Sequence, residues 1–474
     1  MARTARPRRQ PGLAAALTLL AWLAGCAGEP PRILLLITVD TLRADYLGAY
    51  GSERGLTPRL DALARESLVF SAAYAPAAFT LPSVSALLTG RYPQELGIWS
   101  NESALPEWAP TLAAELRHRG WWTAAVVSNW VLRASSGLAR GFDRYEDDFP
   151  QTEVARGWPE RTAASATDAL LRLLDACGEQ AGADCFLWIH YQDPHGPYTP
   201  PPGRRERQLA RERAAPDGAR VLPIAPGERG LGALPRYQVV DGQREVAFYR
   251  AGYAGEVQYV DEQIGRLLAG LVERGAEGRT TIVFAADHGE GLGENDYWFA
   301  HGEYLSDPLV RVPLFIRVPG EPPGRRGDVA SLVDVFPTLL SLAGGEGAEA
   351  ALAGRDLLAI GGSEQASVPY LATLGGAKVP RYGVVEGEFK LVLSEREGVW
   401  DARLARRDRE GVDLTGAAPQ VVSRLRERLN ALRDRFARGV AETRQALTPE
   451  DLATLRSLGY VVDPEADPAD AQAR

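Results

Sequence analysis

Ile33-Leu34-Leu35-Leu36-Ile37-Thr38-Val39-Asp40-Thr41-Leu42-Arg43 decides the fold class. Seven apolar or β-branched residues in a row, without alternation, read as a strand buried on both faces of a sheet that helices cover on each side. Short apolar runs recur at Thr123 to Val127, Phe186 to Ile189, Thr281 to Ala285 and Pro313 to Val318. Helical patterns lie between them. Pro58 to Glu66 follows Thr57, which suits an N-cap, with Pro58 in the first turn. Val257, Val260, Ile264, Leu267, Leu268 and Leu271 are spaced by three and four. The alternation predicts an α/β layered domain around a large, mostly parallel sheet over residues 32–358.

Beyond Leu358 the segments shorten: Pro369 to Leu374, Tyr382 to Val385, Phe389 to Leu393 and Gly398 to Trp400. They predict a small antiparallel sheet in a C-terminal subdomain over residues 359–474, followed by a charged helix from Pro419 to Arg438. The stretch Pro200 to Gln238, rich in Arg, Pro and Gly, reads as a disordered surface excursion or a lid. Its arginine run from Arg204 to Arg213 reads as a solvated face.

The N-terminus carries Arg3, Arg6, Arg8 and Arg9, then an apolar run from Leu13 to Trp22, then Leu23-Ala24-Gly25-Cys26. A charged region, a short apolar region and small residues before a cut describe a signal peptide, here residues 1–25. Leu-Ala-Gly-Cys resembles the bacterial lipobox, which implies acylation of Cys26 and an exported lipoprotein on a membrane, facing the periplasm or cell exterior. Cys177 and Cys185 are too few for a disulfide framework. Two small buried side chains are preferred over a bridge. A formal charge of -9 argues against nucleic acid as a partner.

In open α/β sheets functional residues gather at the carboxyl ends of strands. Asp40 stands there after the first run, and Ala286-Asp287-His288-Gly289-Glu290 after the fourth. His190-Tyr191-Gln192-Asp193-Pro194-His195 follows the third, and Ala300-His301-Gly302-Glu303 lies a little beyond Asp287. Four of the five histidines fall in these stretches. The fifth, His118, reads as an ordinary residue of a polar helix. Ala78-Phe79-Thr80-Leu81-Pro82 opens a helix, which places Thr80 either as its N-cap or at an anion-attracting helix mouth.

Taken in order, these pieces resemble the sulfatase branch of the alkaline-phosphatase superfamily. The resemblance runs through Val39 to Arg43, Thr80 to Pro93, Asp193-Pro194-His195, Asp287 to Glu290 with His301, and Leu447 to Tyr460. It implies an alkaline-phosphatase-like α/β/α fold. It also implies a divalent metal held by Asp40, Asp287 and His288 with the Thr80 hydroxyl, for which the donor set favours Zn or Mn, with Ca as an alternative. His195 and His301 become acid/base groups or substrate ligands, and His190 and Asn129 substrate contacts. Asp193 with His195 and His301 is an alternative second metal set.

The chain departs from the family pattern at the nucleophile. Active sulfatases read Cys or Ser, x, Pro, x, Arg there and oxidise the first residue to formylglycine. Here Thr80 and Val84 occupy the two ends, and Val127-Ser128-Asn129-Trp130 stands in the place of a Gly-Lys-Trp-His stretch. Threonine yields no formylglycine aldehyde, and a threonine ester must be released by an external water. That tilts the expected substrate toward phosphomonoesters or phosphodiesters, small or carried on an envelope glycan. Sulfuric ester hydrolysis, transfer of a phospho-substituent and inactive anionic-glycan binding are the alternatives.

Overall fold

The computed structural model describes residues 30–457, apart from 154–156, 158, 181, 228, 346–352, 360–366, 375–376 and 437–439. The expected signal peptide, Cys26 and the end of the Leu447 to Tyr460 match lie outside the described residues. A nine-stranded sheet forms the centre. Its strands are β1 (Ile33–Val39), β2 (Leu68–Tyr74), β3 (Trp122–Val127), β4 (Arg144–Glu146), β5 (Cys185–Tyr191), β6 (Thr280–Ala286), β7 (Arg311–Val312), β8 (Leu314–Arg317) and β9 (Gly324–Ser331). The order is β7-β2-β8-β6-β1-β5-β3-β4, with β9 also on β2.

β1 sits mid-sheet, parallel to β5 and β6, with Ile33 opposite both Cys185 and Thr280. All seven of its residues are buried, each large one contributing roughly 1.5–3 kcal/mol. The expected run at 313–318 is β8, which is antiparallel to both neighbours. Two strands carried no clear apolar signal. β2 dilutes its run with Ser71, Ala72 and Ala73, and β9 begins Gly-Arg-Arg-Gly.

Helices α1 (Pro58–Arg65), α2 (Thr80–Thr89), α3 (Leu112–His118), α4 (Ala163–Gly178) and α6 (Val246–Glu273) lie about the sheet, and α5 (Arg204–Arg213) lies outside them on α6. Thr57 does not cap α1. Its hydroxyl turns to Asp61, 3.1 Å away, and Asp261 of α6 accepts the N–H groups of Arg59 and Leu60 instead. α6 begins eleven residues before its apolar periodicity, because Gly252 and Gly255 serve close approach rather than burial of bulk. A Cβ on them would lie 2.9 Å from Tyr198 Cβ and from Pro200 Cγ.

The arginine run is a solvated face in part, with Arg207, Arg211 and Arg213 exposed, but Arg204 and Arg205 are packed, and the stretch is not a disordered excursion. α5 packs on α6, with Arg205 over the Phe248 ring at 3.9 Å, Arg204 bonded to Glu262 and Glu212 buried against Arg54. Long arginine stems can cover aromatic surface while their charged ends stay paired.

Cys177 and Cys185 form a disulfide, against the expectation of two unpaired side chains. The crossover from α4 into β5 brings their Cα atoms to 6.2 Å, within bridging reach. Sequence spacing alone did not reveal that approach. The C-terminal sheet is antiparallel: β10 (Tyr370–Ala372), β11 (Arg381–Glu386), β12 (Phe389–Arg396) and β13 (Val399–Arg406). α7 (Pro419–Phe436) packs Leu425, Leu429 and Phe436 into it. Among the described residues no helix is long and apolar enough to cross a membrane.

Candidate active site

β1 and β6 run in parallel register and end side by side, so Asp40 follows Val39 where Asp287 and His288 follow Ala286. α2 enters from the other side with Thr80 as its first residue. Asp40, Thr80, Asp287 and His288 all have no exposed surface. Thr80 does not cap the helix. Phe79 holds the cap position without a side-chain bond, and the Thr80 hydroxyl lies 3.4 Å from His288 Nε2. Asn101 accepts the Leu81 N–H, and the Ser83 hydroxyl donates to the Asp287 carbonyl at 2.6 Å, which fixes the first turn of α2 over β6.

His288 Nδ1 lies 2.9 Å from the Gly289 carbonyl, which can only accept. The Nδ1 therefore carries the proton, and the Nε2 lone pair points at Asp40 Oδ1, 3.6 Å away, and at Asp287 Oδ2, 3.7 Å away. Neither of those oxygens has a hydrogen-bond partner, although both are buried. Burial pushes Asp287 well above the ordinary carboxylate range, and the neighbouring Asp40 charge adds to it. Burial acts on Asp40 in the same sense, but His195, His190 and His288 outweigh it and hold its carboxyl low. Two buried carboxylates with orphaned oxygens around one imidazole lone pair suit a cation, which would let both ionise. Their donor atoms lie within 4.8 Å of one another.

Two expected substrate contacts have other work. Asn129 donates to Asp40 Oδ2 at 2.5 Å while its own Oδ1 accepts the Val131 N–H, so it orients the carboxylate. His190 lies inside β5, opposite Thr38, with Nδ1 2.9 Å from the Thr38 hydroxyl and Nε2 3.7 Å from Asp40 Oδ2. It supports Asp40 from behind. Asp193 does not join a second metal set. Its carboxylate accepts the Ala163 N–H at the start of α4 and faces Glu256.

His195 and His301 do converge, ring centroids 5.3 Å apart, with His301 4.6 Å from the His288 ring. Burial lowers His301 to about 3, helped by the neighbouring His288, and lowers His195 to about 4 despite the Asp40 charge. Glu290 joins the cluster although its place in the Asp287 to Glu290 motif assigns it no role. Its carboxylate reaches His301 Nδ1 at 3.3 Å and accepts from the Tyr198 hydroxyl at 2.9 Å, and burial raises it to about 7. Gly302, at φ +100°, passes the Phe79 ring so closely that a Cβ would sit 2.5 Å from it. The end of the 200–238 stretch covers this cluster. Tyr237 stacks on His195 at 6.3 Å, and both Tyr237 and Gln238 bond the Phe299 carbonyl.

The profile of the family described as Sulfatase matches residues 32–345, the whole span that carries these groups. The chain belongs to the sulfatase family. Membership makes it a sulfatase-superfamily hydrolase of ester bonds. Human iduronate 2-sulfatase is 28% identical over 387 residues, covering 66% of this sulfatase-family chain and 68% of the human protein. A structure solved with its substrate D-glucosamine-2-N,6-O-disulfate superposes with a TM-score of 0.69 at 18% identity, over 86% of this chain and 98% of that one. The phosphonate monoester hydrolase from Silicibacter pomeroyi superposes at 0.64 with 24% identity, over 85% and 95%.

Proposed function

We propose that the chain is a metal-dependent hydrolase of phosphomonoesters or phosphodiesters in which Thr80 is the nucleophile. The observation that carries it is the Thr80 hydroxyl at 3.4 Å from the His288 lone pair, beside Asp40 and Asp287 at the mouth of α2. Asp40, Asp287 and His288 would hold the ion, with Thr80 beside them, a donor set that suits Zn or Mn better than Ca. A divalent ion bound there neutralises the transferred group and makes a hydroxyl a better nucleophile. Thr80 Oγ1 then attacks phosphorus as the bond to the leaving-group oxygen breaks, giving a phosphoryl-threonine; water attacks that phosphorus in turn, the bond to Thr80 breaks, and phosphate or a phosphomonoester departs. His195 and His301 hold or move the proton of the leaving group and of that water.

Two features favour phosphorus over sulfur. Threonine cannot become formylglycine, and Val84, in the place of the family arginine, is buried in the core. Arg43, three residues after Asp40, is engaged by Asp45, Glu294 and the Glu290 carbonyl. Resemblance to glycan sulfatases supports the second reading, a sulfuric ester substrate. A sugar carrying the anionic ester suits both. We place the protein outside the cytoplasm on a lipid anchor at Cys26; the lipobox-like Leu23 to Cys26 supports this, as does the Cys177–Cys185 bridge, which persists in oxidising compartments.

Thr80→Ala should lower kcat toward p-nitrophenyl phosphate or its diester by at least about a thousandfold while metal content, read by elemental analysis, stays unchanged. Full activity in that variant would overturn the nucleophile. A panel of aryl sulfate, phosphate, phosphodiester and phosphonate with Zn, Mn and Ca separates the two readings.

A further inference from the structure

We infer that the protein stands on its membrane by the N-terminal edge of the central sheet, so that its active site faces away from the bilayer that anchors it. The inference rests on the lipid anchor proposed above and on the geometry of β1. Pro31 and Arg32 are pinned at that edge. The Arg279 guanidinium bonds the Pro31 carbonyl, Asp184 takes the Arg32 N–H and guanidinium, and Cys185 N–H donates to the Arg32 carbonyl. Five residues lead from Cys26 to Pro31, a reach of at most about 18 Å. β1 then carries the chain seven residues, about 23 Å, from this edge to Asp40.

The tether cannot turn the molecule over. A folded chain of 474 residues has a radius of gyration near 23 Å, a sphere of about 30 Å radius, so the path from one pole to the other is about 90 Å. That is several times the reach of the tether. The substrate must therefore come from the space beyond the anchoring bilayer, as a soluble ester or one borne on a polymer. Headgroups of the anchoring leaflet lie on the wrong side.

Val272 and Leu231 mark the two poles. Val272 is 55% exposed near the end of α6, which leads directly into Thr280, the register partner of Ile33. Leu231 is 37% exposed and bridges to Tyr297, whose hydroxyl donates to the His301 carbonyl. Val272→Cys and Leu231→Cys, each carrying a fluorophore, are placed as acylated full-length protein on phosphatidylethanolamine/phosphatidylglycerol vesicles containing a spin-labelled headgroup lipid. Quenching at least threefold stronger at position 272 is expected. Equal quenching, or stronger quenching at 231, overturns the orientation. Mass spectrometry showing an unmodified Cys26 overturns the anchor and the orientation together. Turnover of soluble p-nitrophenyl phosphate in the same vesicles reports on the hydrolase reading separately.

Discussion

The Asn129 amide reaches Asp40 Oδ2 at 2.5 Å, and no other described side chain makes a shorter bond to that carboxylate. A group that orients a metal ligand is worth about 10–100-fold in metal affinity. If Asp40 holds the proposed ion, Asn129→Ala should weaken binding of added Zn or Mn by that factor in a competitive chelator titration, with thermal stability of the metal-free protein changing far less. Unchanged affinity would return Asn129 to the substrate-contact role its sequence position suggested. Most of this site was legible residue by residue. Asp40, Asp287 and His288 stand at strand ends, where carboxylates and imidazoles are rare without a task. What Asn129 and His190 touch was not legible, because a side chain's direction depends on the register of β1 against β5.

At the scale of elements, β5 and α4 are tied by the Cys177–Cys185 bridge, which closes a loop with a sequence separation of 8. Loop-closure entropy for so short a ring is about 2–3 kcal/mol. Cys177→Ala with Cys185→Ala should lower the urea unfolding free energy by that amount, and dithiothreitol should do the same to the native chain. β12 offers a second test. Lys390 is buried, and its ammonium bonds Asp307 at 2.8 Å and Glu410 at 2.6 Å. Lys390→Ala leaves two carboxylates facing each other without a cation and should cost about 3–5 kcal/mol. Adding Asp307→Asn and Glu410→Gln should recover part of the loss, as read by denaturant midpoints.

Across the whole molecule two buried carboxyls join distant segments. Asp261 ties α6 to the start of α1, and Asp334 binds the Ser331 and Arg355 N–H groups and the Ser367 hydroxyl. Burial raises both from 3.8 to about 6, against the pull of those hydrogen bonds. Between about pH 4 and 6 the folded state therefore holds protons that the unfolded chain has released, so their contribution to stability is full below pH 4 and declines as pH rises through 6. Asp261→Asn should flatten part of that slope in urea midpoints measured from pH 4 to 7; an unchanged slope would contradict the shift. By itself the sequence determined the α/β class, the antiparallel C-terminal sheet and the residues at the strand ends, because hydrophobic runs and polar punctuation are local signals. Tertiary structure decided the disulfide, the helix formed by the arginine run, the closure of Tyr237 over His195, and which polar groups touch. Those depend on the packing of segments up to hundreds of residues apart, which no local pattern records.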